Sequence, residues 1–377
     1  MLRKNRLTMK KLLLILLCLP LIGFGQNVSI PDANFKAYLV GNTAINTNGD
    51  SEIQVSEAAV YNGSINITSP NYTVNDLTGI EYFHSLTELN CSYQLISTLD
   101  LSNNTALTSL ICNYTYITSL DVSLNTALIN LECKVFYLGL STLDVSANTA
   151  LTSLKCQGNN LTSLDVSSNI ALTELWCFNN QLTTLDVSAN TALTSLKCES
   201  NSLTSLDVSN NTALSQLYCS NNQLTSLDVS NITILTSLIC NDNQLTSLDV
   251  SNNTDLNTLY CTSNLISSLN ISNTDITSTR DPNGVDVLFY NNPLINIDII
   301  NNNQLTDIYI DSMISLISLN INNNISLTTL HCNYNNLTSL DLSTNTALTN
   351  LNCYNNQLTN LDVSNITTLT DLYCSSN

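Results

Sequence analysis

The sequence contains very little positive charge. Only 10 of its 377 residues are Lys or Arg, against 29 Asp or Glu. Five of these cations lie before residue 12, so the rest of the chain has 29 acidic and 5 basic residues, a net charge of about −24. Because a phosphate backbone binds through basic residues, this composition argues against nucleic acids and anionic membrane surfaces as partners.

Histidine and catalytic motifs are equally scarce. His84 and His331 are the only histidines, and the sequence has no G-x-S-x-G, H-E-x-x-H or phosphate-loop motif. Nucleophilic, metal-dependent and nucleotide chemistry therefore lack the residues that they require. We predict that the protein is not an enzyme.

The chain also lacks an apolar run long enough to span a bilayer comfortably. The run at 12–22 is too short, follows five cations and precedes Gly23-Phe24-Gly25. This order is typical of a signal peptide, so we predict that residues 1–25 are removed, that the mature chain has no transmembrane span, and that it is secreted or held at the cell surface. Cys18 faintly resembles a lipidation site, but the apolar run continues past it, which favours export without a lipid.

A cysteine recurs every 21 residues along most of the chain. The ladder cysteines are Cys91, Cys112, Cys133, Cys156, Cys177, Cys198, Cys219, Cys240, Cys261, Cys332, Cys353 and Cys374. The unit around Cys156 reads L-x-x-L-x-C-x-x-N-x-L, a leucine-rich repeat in which the last leucine of a short strand and the cysteine share one face. A fixed period of this length indicates a solenoid.

Between Cys261 and Cys332 we place Tyr290 and Ile310 at the cysteine position, with steps of 29, 20 and 22 residues. The chain then has fourteen coils, and Ile65-Asn66-Ile67 suggests an atypical fifteenth. Strands about 4.8 Å apart would make a solenoid on the order of 65 Å long.

The twelve cysteines could form six disulfides in a secreted protein. Their Cβ atoms, however, would be about 4.8 Å apart on neighbouring strands, beyond the usual separation in a disulfide. We therefore predict buried, reduced thiols.

Two polar residues recur with the same period. An asparagine three residues after most ladder cysteines is expected to bind backbone groups where the strand turns. These asparagines are Asn159, Asn180, Asn201, Asn222, Asn243, Asn264, Asn335 and Asn356. In the second half of the unit an aspartate precedes Val-Ser-x-Asn, and we predict a structural role in a turn rather than a row of cation sites. These aspartates are Asp100, Asp121, Asp144, Asp165, Asp186, Asp207, Asp228, Asp249, Asp298, Asp341 and Asp362.

Residues 26–85 differ in composition and are predicted to form an N-terminal cap. Asp32 to Val40 predicts a short helix capped by Asp32. The segment 46–57 resembles an EF-hand loop, in which alternating oxygen ligands surround a hard cation. The candidate calcium ligands are Asn46, Asn48, Asp50, Glu52 and Glu57. The alternative is a polar turn followed by a short capping helix, and this alternative is slightly favoured because Asn replaces Asp at position 1 and Ser51 occupies the glycine position.

The cysteine-containing 21-residue repeat and the N-terminal Ile30-Pro31-Asp32 segment resemble the internalin-like leucine-rich-repeat proteins that bacteria secrete. The resemblance covers residues 30–377 and implies a curved, right-handed solenoid with a concave parallel sheet and mostly irregular convex arms. It also implies a role in protein recognition or adhesion without catalysis. The repeats at 86–377 include an irregular stretch at 262–331. The last coil ends at Asn377 without a polar cap, and a truncated sequence is favoured over the alternative of an open end that associates with another copy.

Outward-facing residues beside the ladder form an aromatic stripe. Its members are Trp176, Phe178, Tyr218, Tyr260, Phe289, Tyr309, Tyr354 and Tyr373. Aromatic side chains bury a large area at a small entropic cost, so the stripe is our candidate site for a protein or a neutral glycan. The alternative is that the rings only stack along the sheet, and the competing function is a structural or adaptor-like scaffold. At 280–284 a Pro- and Gly-containing insertion predicts a surface loop, and we favour a tolerated insertion over a contact by Arg280.

Overall fold

The computed structural model describes residues 25–68, 73–135, 139–280, 284 and 288–377. The predicted signal peptide lies outside these residues except for Gly25. Two short helices, α1 (Ala33–Gly41) and α2 (Val55–Val60), and a 3-10 turn (Ile80–Tyr82) precede the repeats. Within the described ranges, no helix has the length and apolarity needed to cross a membrane.

Helix α1 begins where the sequence predicts it. An oxygen of Asp32 accepts hydrogen bonds from the backbone N–H groups of Asn34 and Phe35, both at 2.9 Å. These bonds satisfy two N–H groups that have no partner inside the helix. Phe35 and Leu39 are fully buried, so the helix covers the apolar start of the solenoid.

The described part of the repeats consists of three-residue parallel strands. They are β1 (Ser64–Asn66), β2 (Glu88–Asn90), β3 (Ser109–Ile111), β4 (Asn130–Glu132), β5 (Ser153–Lys155), β6 (Glu174–Trp176), β7 (Ser195–Lys197), β8 (Gln216–Tyr218), β9 (Ser237–Ile239), β10 (Ser247–Asp249), β11 (Thr258–Tyr260), β12 (Ser268–Asn270), β13 (Asn296–Asp298), β14 (Asp307–Tyr309), β15 (Ser318–Asn320), β16 (Thr329–His331), β17 (Asn350–Asn352) and β18 (Asp371–Tyr373).

The strands that precede the ladder cysteines form the front face. Strands β1 to β9 and β11 make one ten-stranded sheet, and β14, β16, β17 and β18 make a second sheet. The middle leucine or isoleucine of each strand points into the core, except in β18, and the third residue points outward. This architecture is the predicted leucine-rich-repeat solenoid, and its front face is the concave side of that fold. We number its coils from coil 1 at Cys91 to coil 14 at Cys374.

The predicted atypical fifteenth coil is present and precedes coil 1. Strand β1 pairs in parallel register with β2. Ile67 is fully buried, and its N–H donates to the carbonyl oxygen of Asn90 at 2.8 Å. Cys91 makes the corresponding bond to Ile111 in the next coil, so Ile67 occupies the ladder position.

The ladder cysteines form no disulfide with one another. Eleven are buried and Cys374 is exposed. The thiol of Cys261 lies 3.2 Å from the carbonyl oxygen of Leu288, to which it can donate a weak hydrogen bond. Burial raises the pKa of Cys91 and of Cys156 to about 12. These thiols therefore have little of the thiolate character that reaction requires.

Asparagine side chains join the front turns of successive coils. The Asn222 amide nitrogen donates to the carbonyl oxygens of Cys198 and Cys219, both at 3.1 Å, and its oxygen accepts from the Leu203 N–H at 3.0 Å. One buried side chain thus satisfies three backbone groups in two coils. The front asparagine ladder consists of Asn159, Asn180, Asn201, Asn222, Asn243, Asn264, Asn335 and Asn356, and its predicted role is confirmed.

A second ladder lies in the return arms, which are the second halves of the repeats and connect one front strand to the next. The Asn211 amide nitrogen donates to the carbonyl oxygens of Val187 at 3.0 Å and Asn190 at 2.9 Å. Its own oxygen is buried and has no donor among the described residues. Each asparagine of this back asparagine ladder donates to two backbone carbonyl oxygens, while its own amide oxygen has no donor among the described residues. The back ladder therefore stabilises the coils less than the front ladder does.

The aspartates of the return arms have the predicted structural role in ten of the eleven coils. An oxygen of Asp165 accepts from the Ser167 N–H at 2.9 Å, which closes a turn. Hydrogen bonds from Ser167 hold the pKa of Asp165 below its usual value. Asp298 differs because the N–H of Ile300, two residues further on, donates to the hydroxyl of Ser272 at 3.0 Å instead.

One position in the predicted register is wrong. Phe289 is fully buried, whereas Tyr290 is 65% exposed. The amide nitrogen of Asn292, three residues after Phe289, donates to the carbonyl oxygen of Cys261 at 3.0 Å, as a front-ladder asparagine does. Phe289 therefore takes the ladder position, and the steps from Cys261 are 28, 21 and 22 residues. A phenyl ring enters the core more readily than a phenol, because a buried hydroxyl needs a hydrogen-bond partner.

The return arms are not irregular throughout. Strands β10, β12, β13 and β15 form a four-stranded back sheet. In this sheet the turns of the return arms have the same conformation as the front turns. Asn273, Asn301 and Asn323 adopt positive φ. The Asn302 oxygen accepts from the Thr274 N–H at 2.7 Å. Ile271, Ile299 and Ile321 hold the inward position that valine holds in most other coils.

The ladder thiols give one prediction. Treating the native protein with iodoacetamide at pH 8 should label Cys374 and leave the other eleven ladder cysteines unmodified, because those thiols are buried and protonated. Peptide mapping by mass spectrometry, with a denatured sample as control, measures the labelling. Modification of Cys198 in the native protein would contradict the packing.

The asparagine ladders give a second prediction. Asn222→Ala should lower the free energy of unfolding by about 3 kcal/mol and Asn211→Ala by about 2 kcal/mol, because each leaves backbone groups buried without partners. Urea denaturation followed by circular dichroism measures both. Asn210→Ala is the control, since the equivalent residues of two other coils, Ala147 and Ala189, are already alanine. Equal midpoints for all three variants would refute the role of the ladders.

Candidate functional site

A continuous row of side chains crosses the front face from β4 to β11. Each residue is the third of its strand, and in-register pairing places each beside the next. The row runs Glu132, Lys155, Trp176, Lys197, Tyr218, Ile239 and Tyr260. Such neighbours on one sheet face are within contact distance.

Cations and aromatic rings alternate in the centre of this row. The Lys155 Nζ lies 4.4 Å and the Lys197 Nζ 4.2 Å from the centre of the Trp176 ring. Lys197 also lies 4.9 Å from the centre of the Tyr218 ring. These separations allow cation–π attraction. Because the two lysines come from the strands on either side of Trp176, the indole is flanked by ammonium groups instead of presenting a bare platform.

The two lysines differ in their acidic partners. Lys155 forms ion pairs at 3.5 Å with Glu132 and with Glu174. For Lys197, no carboxylate among the described residues lies within ion-pair distance, so its contacts are the two rings. Lys197 therefore keeps donor capacity toward the solvent side of the face.

Two polar groups near the lysines are buried without partners. The Trp176 indole N–H and one oxygen of Glu199 have no hydrogen-bond partner within the described part of the chain. Burial raises the pKa of Glu199, an effect that its own backbone N–H and Lys197 reduce only in part. Unsatisfied polar groups on an otherwise regular face identify a place where a partner could supply the missing hydrogen bonds.

A second cluster occupies the front face of coils 10 to 12. The guanidinium carbon of Arg280 lies 3.9 Å from the centre of the Tyr309 ring, and Tyr309 packs edge-on against His331 at 5.0 Å. Burial raises the pKa of Asp311, although His331, a backbone N–H of Asn333 and Arg280 act in the opposite direction. Arg280 therefore lies on the front face, against Tyr309. That the insertion is tolerated rather than a contact with a partner stays a prediction.

Every cation of the repeats contacts a ring. Lys134, the remaining one, lies 5.0 Å from the centre of Tyr114. The sequence shows the aromatic residues but not this pairing, since Arg280 and Tyr309 are far apart along the chain and meet only through the coil geometry.

The structure places most of the predicted stripe on one face. Trp176, Tyr218, Tyr260 and Tyr309 are partly exposed third residues of strands, and Tyr373 is 61% exposed at the last strand. Phe178 and Tyr354 lie two residues further along, beside the stripe. Phe289 does not belong to it, because its ring is buried in the core.

Tyrosines at the end of the front strands were missed. Tyr93, Tyr114 and Tyr334 adopt positive φ at a position that carries Asn, Ser, Asp or Gly in most other coils. Bulky residues rarely adopt this conformation. Tyr93 and Tyr114 stack at 4.8 Å, which helps to stabilise them there. The signal in the sequence is tyrosine two residues after a ladder cysteine.

The loop at 46–57 is closed by its own hydrogen bonds. One Glu57 oxygen accepts from the Thr47 N–H, the Thr47 hydroxyl and the Asn48 N–H, and the other accepts from the Gln54 N–H at 3.0 Å. Burial would raise the pKa of Glu57, but these bonds outweigh it and lower the pKa. The Asp50 oxygens accept from Asn48, Glu52 and Gln54.

These carboxylate oxygens already have N–H and O–H donors, so the loop fits a capping turn better than a calcium cage. Glu52 is turned away to Lys36, whose Nζ lies 2.6 Å from it. Among the described residues no group of three His, Cys, Asp or Glu could hold a metal ion. Calcium binding by Asn46, Asn48, Asp50, Glu52 and Glu57 remains a prediction.

Solved structures place the chain among known proteins. The functional domain of InlJ from Listeria monocytogenes, described as including a cysteine ladder, shares 34% sequence identity, covers 93% of this chain and 76% of its own, and has a TM-score of 0.53. This chain belongs to the internalin family of leucine-rich-repeat proteins.

Two further structures share the fold. The internalin InlF from Listeria monocytogenes is 22% identical over 93% of this chain and 98% of its own, with a TM-score of 0.57. The plant peptide hormone receptor RGFR1, solved in complex with RGF2, is 18% identical over 85% of this chain and 64% of its own, with a TM-score of 0.52. No protein-family model and no curated protein matches the sequence.

The cap loop can be tested directly. Because Glu57 bridges the two ends of the loop, Glu57→Ala should lower the melting temperature of the cap whether or not calcium is present. Isothermal calorimetry with calcium on the wild type and on Glu57→Ala tests the ion site separately. Heat of binding that Glu57→Ala abolishes would establish a calcium site, and no heat at millimolar calcium would exclude one.

Proposed function

We propose that this internalin-family chain is a secreted or surface-held recognition module that binds a protein through its front face. The family membership supports a binding role, and the proposal assigns no catalytic step to any residue. The observation that carries it is the row at Trp176, Lys197 and Tyr218, where rings, a cation and unsatisfied polar groups lie together. Aromatic and cationic side chains dominate the energetics of protein interfaces.

The flanked tryptophan favours a protein over a neutral glycan. A sugar ring stacks on an open aromatic face, and here ammonium groups lie over Trp176 on the strands at both sides. A protein partner can instead supply a carboxylate or carbonyl oxygen to Lys197 and to the Trp176 N–H. Secretion is supported by the order of charges and apolar residues at 1–25.

The front face can be tested by substitution. The triple variant Trp176→Ala, Tyr218→Ala, Tyr260→Ala should reduce binding to host or bacterial cells at least tenfold. Truncating an aromatic residue at the centre of an interface to alanine commonly costs about 2 kcal/mol or more of binding free energy. Flow cytometry with the labelled full chain measures binding. Pretreating the cells with a protease should abolish it, and pretreating them with glycosidases should not.

The control is Ile170→Thr, a 63% exposed residue on the return arm whose equivalents Thr149 and Thr191 are already threonine. It should bind as the wild type does. Undiminished binding of the triple variant would contradict the front-face proposal and point to the return arms as the binding surface. Binding that is sensitive to glycosidase but not to protease would identify a glycan as the ligand.

A further inference from the structure

The edge of the solenoid next to the front strands changes character along its length. We define the turn edge as the residues one to four positions after each ladder residue. In coils 6 to 8 this edge carries Asn, Gln, Ser, Asp and Glu. In coils 9 to 12 it exposes large apolar side chains, which are Leu265 at 53%, Tyr290 at 65%, Ile314 at 79% and Tyr334 at 48% exposure.

A cleft of about 430 Å³ lies within this apolar stretch. Tyr290, Pro293 and Leu294 line it from coil 10, and Met313 and Ile314 line it from coil 11. Met313 stands where other coils have a front-ladder asparagine, and its N–H donates to the Asn335 oxygen at 2.8 Å. The cleft therefore exists because coils 10 and 11 depart from the repeat, and its size suits one or two side chains.

Asp311 supplies the charge in the wall of the cleft. One of its oxygens is shielded from solvent and has no hydrogen-bond donor within the described ranges. Arg280 and His331 are close enough to influence Asp311 electrostatically, but neither forms an ion pair with it. Arg280 lies on the Tyr309 ring instead, and among the described residues its own Nε has no hydrogen-bond partner.

The occupant follows from these observations. Apolar walls require an apolar side chain, and a carboxylate oxygen without a donor requires an N–H group. The net charge of about −24 on the rest of the chain favours a cationic partner over an acidic one.

We propose that the cleft between coils 10 and 11 binds a segment of a protein partner that presents an apolar side chain next to a Lys or Arg. The apolar side chain enters between Tyr290 and Ile314, and the cation donates to Asp311. This site lies on the turn edge rather than on the front row, so it is a second contact surface that does not depend on Trp176.

The probes are three fluorescent dodecapeptides on a Gly-Ser background. They carry Ile-Lys-Leu, Ile-Glu-Leu or Ser-Lys-Ser at the centre. Fluorescence anisotropy with the full chain should show the Ile-Lys-Leu peptide binding about tenfold more tightly than either other peptide, the range that a lost apolar or charged contact commonly covers. Ile314→Gln should weaken this peptide about tenfold. This substitution should leave the fold intact, since Gln223 and Gln244 occupy the same position in coils 7 and 8.

Asp311→Asn should remove the preference for Lys over Glu while preserving that for Ile and Leu over Ser. Ile170→Thr and Trp176→Ala should leave peptide binding unchanged, which separates this site from the front row. Circular dichroism confirms that each variant is folded.

The proposal is overturned if the Ile-Lys-Leu peptide fails to bind saturably, if Ile314→Gln binds it as the wild type does, or if the three peptides bind equally. Sedimentation velocity addresses a second copy as the occupant. Self-association of the wild type that Ile314→Gln abolishes would show that another copy covers the cleft, and would equally overturn the proposal.

Discussion

The hydrogen bonding of buried turns is the constraint on which the rest of the structure depends. Each coil turns twice inside a narrow apolar core, and every turn buries carbonyl and N–H groups that the parallel strands do not pair. Asparagine solves this problem because its amide carries both donors and an acceptor and reaches into the neighbouring coil. The bonds of Asn222 to Cys198, Cys219 and Leu203 are the pattern that the front ladder repeats. Leucine stacks add apolar burial, but they do not by themselves set where the chain turns.

This regular interior frees the front face to vary. Since each coil contacts only its neighbours, an outward residue can change without disturbing the core. The variation is concentrated in two clusters, one at Trp176 with its flanking lysines and one at Tyr309 with Arg280. Both clusters therefore offer positive charge in a molecule that is acidic elsewhere.

At the break in the repeat at coil 10, the regular strand pairing moves from the front face to the return arms. Among the described residues, the strands of the front sheet end at β11 and begin again at β14, while β10, β12, β13 and β15 pair without interruption behind them. Between the two front sheets the coils are joined by isolated bonds, such as the one from the Ser263 N–H to the carbonyl oxygen of Tyr290 at 3.1 Å. The same departure from the repeat exposes Tyr290 and Ile314 and opens the cleft beside Asp311. Irregularity in this solenoid coincides with the surface features that a uniform repeat would not produce.

The sequence by itself determined the solenoid, its coil count, the inward cysteines, the turn asparagines and the outward stripe, because a 21-residue period and alternating burial are local properties of the chain. It did not determine which of Phe289 and Tyr290 enters the core, since an insertion removes the period that assigns the register. It also could not show that lysines cover Trp176, that Arg280 reaches Tyr309, or that Glu57 closes its own loop. Those contacts join residues whose distance depends on how coils stack and where side chains find partners, and only the tertiary structure decides this.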